Sequence, residues 1–348
     1  MSSGRTAIPY EMFDRERFGL EARNARILEK IYHRGHSQSW DGKKVLASLI
    51  KKHGKPTLPE GARQALGRVF ATIMWGELAA WKISAQLAAE LVPLEAKMAA
   101  TSQAFDEARH FYVMHDYLEA LGSMPERLDR STESVLGNVM HTRCLAQKLL
   151  GMQLMIEPIA LALFHVVKKM DVEPVLTDLL PYYERDESRH VALGVKYLPA
   201  LMQSMSLREK ISLWGFQVKI ITLEVWSNRL LSADLIALGV EPRELVRIGM
   251  GKQLGALQET FSAMPGAADM PLEWMARYAN ALVEVSLPAA GDSRGARERI
   301  AAAMNVLRHG YVVDDGPYAP VIADEAVPLI RIEHAPLAVA PAEAAVMH

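Results

Sequence analysis

One cysteine, Cys144, stands in 348 residues, so no internal disulfide is available and no Cys-x-x-Cys pair can form. A reducing, cytoplasmic setting is the default expectation. Charge of one sign is lacking too: 39 Lys and Arg against 41 Asp and Glu leave a net −2. No broad basic field exists to recruit nucleic acid or an anionic membrane. No run of eighteen uncharged apolar residues occurs, and no membrane span is expected. The opening residues, MSSGRTAIPYEMFDRERFG, lack the apolar stretch of a secretory signal. Gly-rich phosphate loops and Gly-x-Ser-x-Gly are also missing, which leaves phosphate cradling and serine hydrolysis without support.

What is present is helix-forming. Half of the residues are hydrophobic. From about Gly61 onward, long segments rich in Ala, Leu, Met, Glu and Lys carry helical rather than alternating spacing. Breaks fall at Pro93, at Gly122 to Pro125, at 169–174 and near Pro199. They predict helices over 64–91, 94–120, 133–169 and 174–199, followed by 206–236, 242–263, 271–287 and 294–309. The expected class is all-α. Residues 1–60 read as an N-terminal arm with short helices, 61–200 as a four-helix core, and 201–311 as further helices packing on it. The Pro- and Ala-rich 312–348 reads as an extended or partly disordered tail.

Two pentapeptides dominate the core segment. Asp-Glu-Ala-Arg-His at 106–110 returns as Asp-Glu-Ser-Arg-His at 186–190. Two isolated acids accompany them, Glu77 in IMWGELAAW and Glu157 in LMIEPIALA. A lone carboxylate in an apolar helix is costly unless a cation receives it. Glu77 and Glu107 are 30 residues apart, as are Glu157 and Glu187, and each midpoint falls in a helix break. Each glutamate therefore lies about 15 residues, or roughly 22 Å, from its turn, and the two are level in an antiparallel hairpin. Glu107 and His110 share one helix face, as do Glu187 and His190. A Glu from each of two helices with Glu-x-x-His from each of two others is the donor set of a dinuclear carboxylate site, and oxygen with imidazole suits iron or manganese. Glu77, Glu107, His110, Glu157, Glu187 and His190 are the candidate metal ligands.

A metal-bound imidazole usually gives its other N–H to a carboxylate. Asp106 is expected to serve His190 and Asp186 to serve His110, with Arg109 and Arg189 neutralising the aspartates. Pro158 follows Glu157 inside its helix, displaces the Leu154 carbonyl and predicts a bulge beside the site. Gln103 and Gln153, each four residues before a ligand glutamate, and Tyr183 are the candidates for orienting substrate or oxygen. Trp81 and Phe111 either wall the pocket or pack, and Met74, Met114, Met152 and Met155 read as core with some cavity lining.

The double motif with matched spacing resembles the ferritin-like superfamily of di-iron carboxylate proteins, in its ribonucleotide-reductase-like and di-iron oxygenase branch, over roughly residues 64–200. That resemblance implies a ferritin-like four-helix bundle with flanking helices, two iron ions or a manganese–iron pair, and dioxygen as co-substrate. It also implies an oxygenase or oxidase acting on a small hydrophobic or acyl-type molecule, fed by a ferredoxin-type or reductase electron donor. The alternative is an iron- or peroxide-handling protein, or a metal or radical subunit. Departures narrow the comparison. The radical tyrosine of reductase small subunits is replaced by Met114. The threonine of soluble monooxygenases is replaced by Ala160 and Leu161, and the extra histidine of amine N-oxygenases by Tyr183. Apolar C-terminal helices are compatible with a homodimer.

Overall fold

The computed structural model describes residues 26–310, apart from 126, 263–271 and 290. The first part of the expected N-terminal arm and the expected tail lie outside the described residues. Among those described there is no strand. Two short helices, α1 (Arg26–Ser37) and α2 (Gly42–His53), precede the long hairpin α3 (Glu60–Glu90) and α4 (Leu94–Leu121). After α5 (Arg130–His141) comes a composite helix, α6 (Leu145–Leu149), a π-helical segment (Leu150–Ile156) and α7 (Glu157–Met170). It pairs with α8 (Pro174–Gln203). Then follow α9 (Leu207–Ala237), α10 (Pro242–Ser262), α11 (Leu272–Ser286) and α12 (Ala296–His309).

Chain chemistry explains the boundaries. Pro93 cannot donate to a preceding turn and stands at the N-terminus of α4. Glu173 accepts the free N–H groups of Val175 and Leu176 at the start of α8, and the Tyr117 hydroxyl, 2.9 Å away, braces the same carboxylate. Ser206 and Glu209 form a reciprocal cap on α9. Gly122 ends α4 in the left-handed conformation, with φ 71°.

The helix expected over 133–169 is interrupted. The chain leaves α5 at His141 and resumes at Leu145, with Thr142 Oγ1 accepting from the Cys144 N–H at 3.2 Å. No Gly or Pro marks this break; a threonine side chain substitutes for the helical partner. The bulge expected from Pro158 is the π segment just before it, where Glu157 N–H bonds back five residues to the Met152 carbonyl. Gly194 lets α8 approach this segment: a Cβ there would stand 2.7 Å from Gln153 Cβ.

The α3–α4 and α7–α8 connections lie at opposite ends of the bundle, and α5 carries the chain along its length. Two apolar layers result. One gathers Ile83, Leu87, Ala99, Leu149, Val191 and Leu198; the other gathers Phe70, Met74, Met114, Leu118, Phe164 and Leu179. Glu77, Glu107, Glu157 and Glu187 sit between them, at mid-height of their helices. Helices α1 and α2 pack on α4 and α8, while α9 and α10 cover α3, α7 and α8. By length and composition Leu145–Met170 could cross a membrane, but 72% of its most apolar window is buried in the bundle, as in a core helix. Trp81 is 41% exposed and does not line the cavity described below, whereas Phe111 packs at the edge of the second layer.

Candidate metal centre

The structure brings all six candidate ligands together, and every one is buried. Two overlapping groups of donor atoms fit within 4.8 Å: Glu77, Glu107, His110 and Glu187, and Glu107, Glu157, Glu187 and His190. Glu107 and Glu187 belong to both. Glu77 with His110 closes one side, and Glu157 with His190 the other.

Both imidazoles turn Nδ1 inward. His110 Nδ1 lies 3.0 Å from Glu187 Oε1 and 3.4 Å from Glu77 Oε2; His190 Nδ1 lies 3.0 Å from Glu107 Oε1. Several of these buried atoms nevertheless have no hydrogen bond: His110 Nδ1, Glu107 Oε2, Glu157 Oε2 and Glu187 Oε1. Orphaned donors and acceptors of this kind, gathered in two overlapping groups, are what a bound cation would satisfy. Burial, with Glu187 nearby, pushes the Glu77 carboxyl well above its usual range, and burial does the same to Glu157. Glu107 is held well below that range, the adjacent His190 and His110 outweighing its burial. Both histidines are raised well above the ordinary value by the surrounding carboxylates, against desolvation. Protons thus do what a metal pair would do better, since cations neutralise all four glutamates at once. The buried cluster could bind metal, and the donor set fits.

The second layer has the paired form expected. His110 Nε2 is 3.2 Å from Asp186 Oδ2, and His190 Nε2 is 3.3 Å from Asp106 Oδ2. With Nε2–H donated, each Nδ1 lone pair faces the cluster. Arg109 reaches both aspartates, at 2.9 Å to Asp186, and Arg189 does likewise, at 2.9 Å to Asp106 and 2.8 Å to Asp186. Sequence reasoning missed the clamp over this layer. Trp40 Nε1 donates to Asp186 at 2.7 Å, and its ring lies under the Arg109 guanidinium, 4.9 Å from the centroid. Ser39 and Gln38 accept from Arg109 and Arg189, and Arg185 also donates to Asp186. These residues, Arg185 apart, sit in the α1–α2 connection, where no periodicity singles them out.

Tyr183, Gln103 and Gln153 turn toward the cluster rather than toward open space. The Tyr183 hydroxyl donates to the His110 carbonyl at 2.7 Å, and its ring stacks on the imidazole with centroids 4.4 Å apart. Gln103 Nε2 donates to Glu157 at 2.7 Å and Glu107 at 3.1 Å, and its oxygen accepts from Gln153 at 3.2 Å. A buried amide beside two carboxylates finds its best acceptors there, which is why none of the three lines the cavity described below. Their hydrogen bonds run to the candidate ligands and to one another.

Among solved structures, the chain is similar to a protein with aldehyde deformylating oxidase activity from Synechococcus. The TM-score is 0.50 and identity 16%, over 62% of this chain and 97% of that one. The fold is ferritin-like. No protein-family model and no curated protein matches the sequence.

The ferritin-like core opens on one side into a cavity of about 130 Å³ between α3, α5, α7 and α9. Glu77, Glu157 and Glu187 form one wall, and Ile73, Leu136, Met152 and Leu231 much of the remainder. Gly76 widens it, since a Cβ there would meet nothing within 4 Å. Met152 lines the cavity, whereas Met74 and Met114 are core. Glu224 also lines this cavity, a second residue missed from the sequence: it has no matched partner at a telling interval, and only the fold of α9 brings it here.

Proposed function

We propose that this protein is a non-haem di-iron, dioxygen-activating oxidoreductase, an oxygenase or oxidase of a small, largely hydrophobic or acyl-type substrate. The observation that supports this most is the juxtaposition of the buried four-glutamate, two-histidine cluster with an apolar cavity whose wall is three of those glutamates. Glu77, Glu107, His110, Glu157, Glu187 and His190 would hold two iron ions. When bound, these ions supply the electrons and Lewis acidity for dioxygen reduction and substrate oxidation.

The chain's own residues do the rest. Asp106 and Asp186 fix the imidazole tautomers, and the arginines keep the aspartates ionised; both aspartates are held below the usual carboxylate range, the pull of histidine and arginine outweighing their burial. Gln103 orients Glu107 and Glu157, and Tyr183 holds the His110 ring in place. Aliphatic cavity walls align the substrate against the cluster and exclude water. Reducing equivalents would come from a ferredoxin-type donor in the cytoplasm. A protein that only stores iron or removes peroxide has no need of an apolar cavity against its metal site, which favours the oxygenase reading. The test is oxygen uptake by the reduced, iron-loaded protein with a panel of short aliphatic compounds. Uptake coupled to a modified organic product is expected; iron mineralisation or peroxide turnover without one would replace this reading by the second.

A further inference from the structure

We propose that the cavity wall formed by Glu224 and its neighbours on α9 is a recognition site for a primary ammonium group, with Glu224 as its counter-ion. On the reading above, the substrate is then a short aliphatic amine whose hydrocarbon end faces the cluster. Glu224 is buried, at 8% exposed, and lines the cavity. Gln253 Nε2 holds Glu224 Oε2 at 2.9 Å and the Met155 carbonyl at 2.8 Å, tying the carboxyl to the π segment. The other oxygen, Oε1, has no partner among the described residues. A buried carboxyl oxygen without a partner is costly, and a ligand that satisfies it gains accordingly.

The neighbouring groups can accept too. Asn228, one turn along α9, donates its amide N to the Glu224 carbonyl at 3.0 Å, so its side-chain oxygen is the end left to accept. The Ser227 and Thr132 hydroxyls bond to each other at 2.7 Å, and both line the cavity. An ammonium has three N–H donors, and the Glu224 and Asn228 oxygens with a hydroxyl oxygen offer it acceptors. Charge selects in the same direction. None of the described lining residues is Lys, Arg or His, and the other charged ones are Glu77, Glu157 and Glu187. A metal pair would neutralise those three, leaving Glu224 as the uncompensated acid. An anionic head group would meet no cationic side chain among the described lining residues. Burial raises the Glu224 carboxyl to about 8, so the cavity is stable when empty with the proton in place, and an arriving cation displaces it. The cavity, at about 130 Å³, is close in size to one that accepts benzene, which admits a ligand of roughly six to eight heavy atoms.

The experiment is calorimetric titration of the full-length, metal-loaded protein with hexylamine, 1-hexanol and hexanoate at pH 7.5, with metal content measured on the same samples. Hexylamine is expected to bind about tenfold more tightly than hexanol, the worth of one charged hydrogen bond, with hexanoate weakest. Glu224→Gln should lower hexylamine to the level of hexanol and leave hexanol unchanged. Hexanol or hexanoate binding the wild type as well as hexylamine would overturn the site, as would an undiminished amine preference in Glu224→Gln. The wild-type series needs no variant to fold. A protein that binds no metal yet keeps the preference would sink the di-iron reading and not this one; a metal-loaded protein without the preference would sink only this one.

Discussion

Replacing Glu224 by glutamine should remove a loss of stability with rising pH that the wild type carries. The Glu224 carboxyl moves from 4.5 to about 8 because burial penalises its charge. Between those values the folded protein keeps a proton that the unfolded chain has lost. Stability contributed by the protonated group is therefore complete below pH 4.5 and is lost as pH rises toward 8. Each pH unit in that window costs about 1.4 kcal/mol, so the whole interval costs on the order of 4–5 kcal/mol. Glutamine keeps the shape, can still accept from Gln253 and does not titrate. Urea unfolding of metal-free wild type and variant at pH 5, 6 and 7 reads the difference directly, because every other titration is common to both. The variant should gain on the wild type by about 1.4 kcal/mol per unit. A difference that stays flat from pH 5 to 7 would show that Glu224 is ionised in the fold and that its environment is not the dry wall described here.

Other consequences follow from the same geometry. Asp186→Ala removes one of the two carboxylates that Arg109 and Arg189 share, and the one that Arg185 pairs with, leaving three arginines on Asp106 alone or unpaired in a buried layer; it should cost about 3–5 kcal/mol in unfolding free energy and lower metal affinity about 10- to 100-fold in competition titrations. Gly76→Ala should raise stability by about 0.5–1 kcal/mol, since the helix gains a residue it prefers and the new methyl meets nothing. Gly76→Leu should instead fill the cavity and abolish ligand binding while metal content holds. Gly194→Ala should destabilise by about 1–3 kcal/mol through its clash with Gln153 and Leu154, measured by thermal unfolding.

Much of the centre is legible in the order of the residues. Equal 30-residue spans across two breaks put Glu77 level with Glu107 and Glu157 level with Glu187, because helical rise converts sequence distance into height. The Asp-Glu-x-Arg-His repeat carries its own second layer for a similar reason: Asp106 and Asp186, one residue before a ligand glutamate, are turned about 100° from it, toward the neighbouring helix. The π segment is announced by Pro158, whose ring removes an α-helical bond. What escapes a linear reading is set by tertiary contact. The break at Thr142 has no Gly or Pro to mark it. Trp40, Gln38 and Ser39 lie in a connection with no period. Glu224 looks like any acid in an amphipathic helix until α9 is laid against the cavity. Gln103, Gln153 and Tyr183 stand at the expected height, but their heads turn to the nearest carboxylate or carbonyl, a choice only the packed neighbours make.

The most direct measurement is the metal content of purified wild type, Glu107→Ala and His190→Ala after anaerobic reconstitution with ferrous iron. Glu107 belongs to both donor groups and His190 to one. About two ions per chain are expected in the wild type, as the two overlapping donor groups imply. The Glu107 variant should lose both and the His190 variant at least one. Wild-type metal content in both variants, with the helical fold intact, would contradict the dinuclear centre.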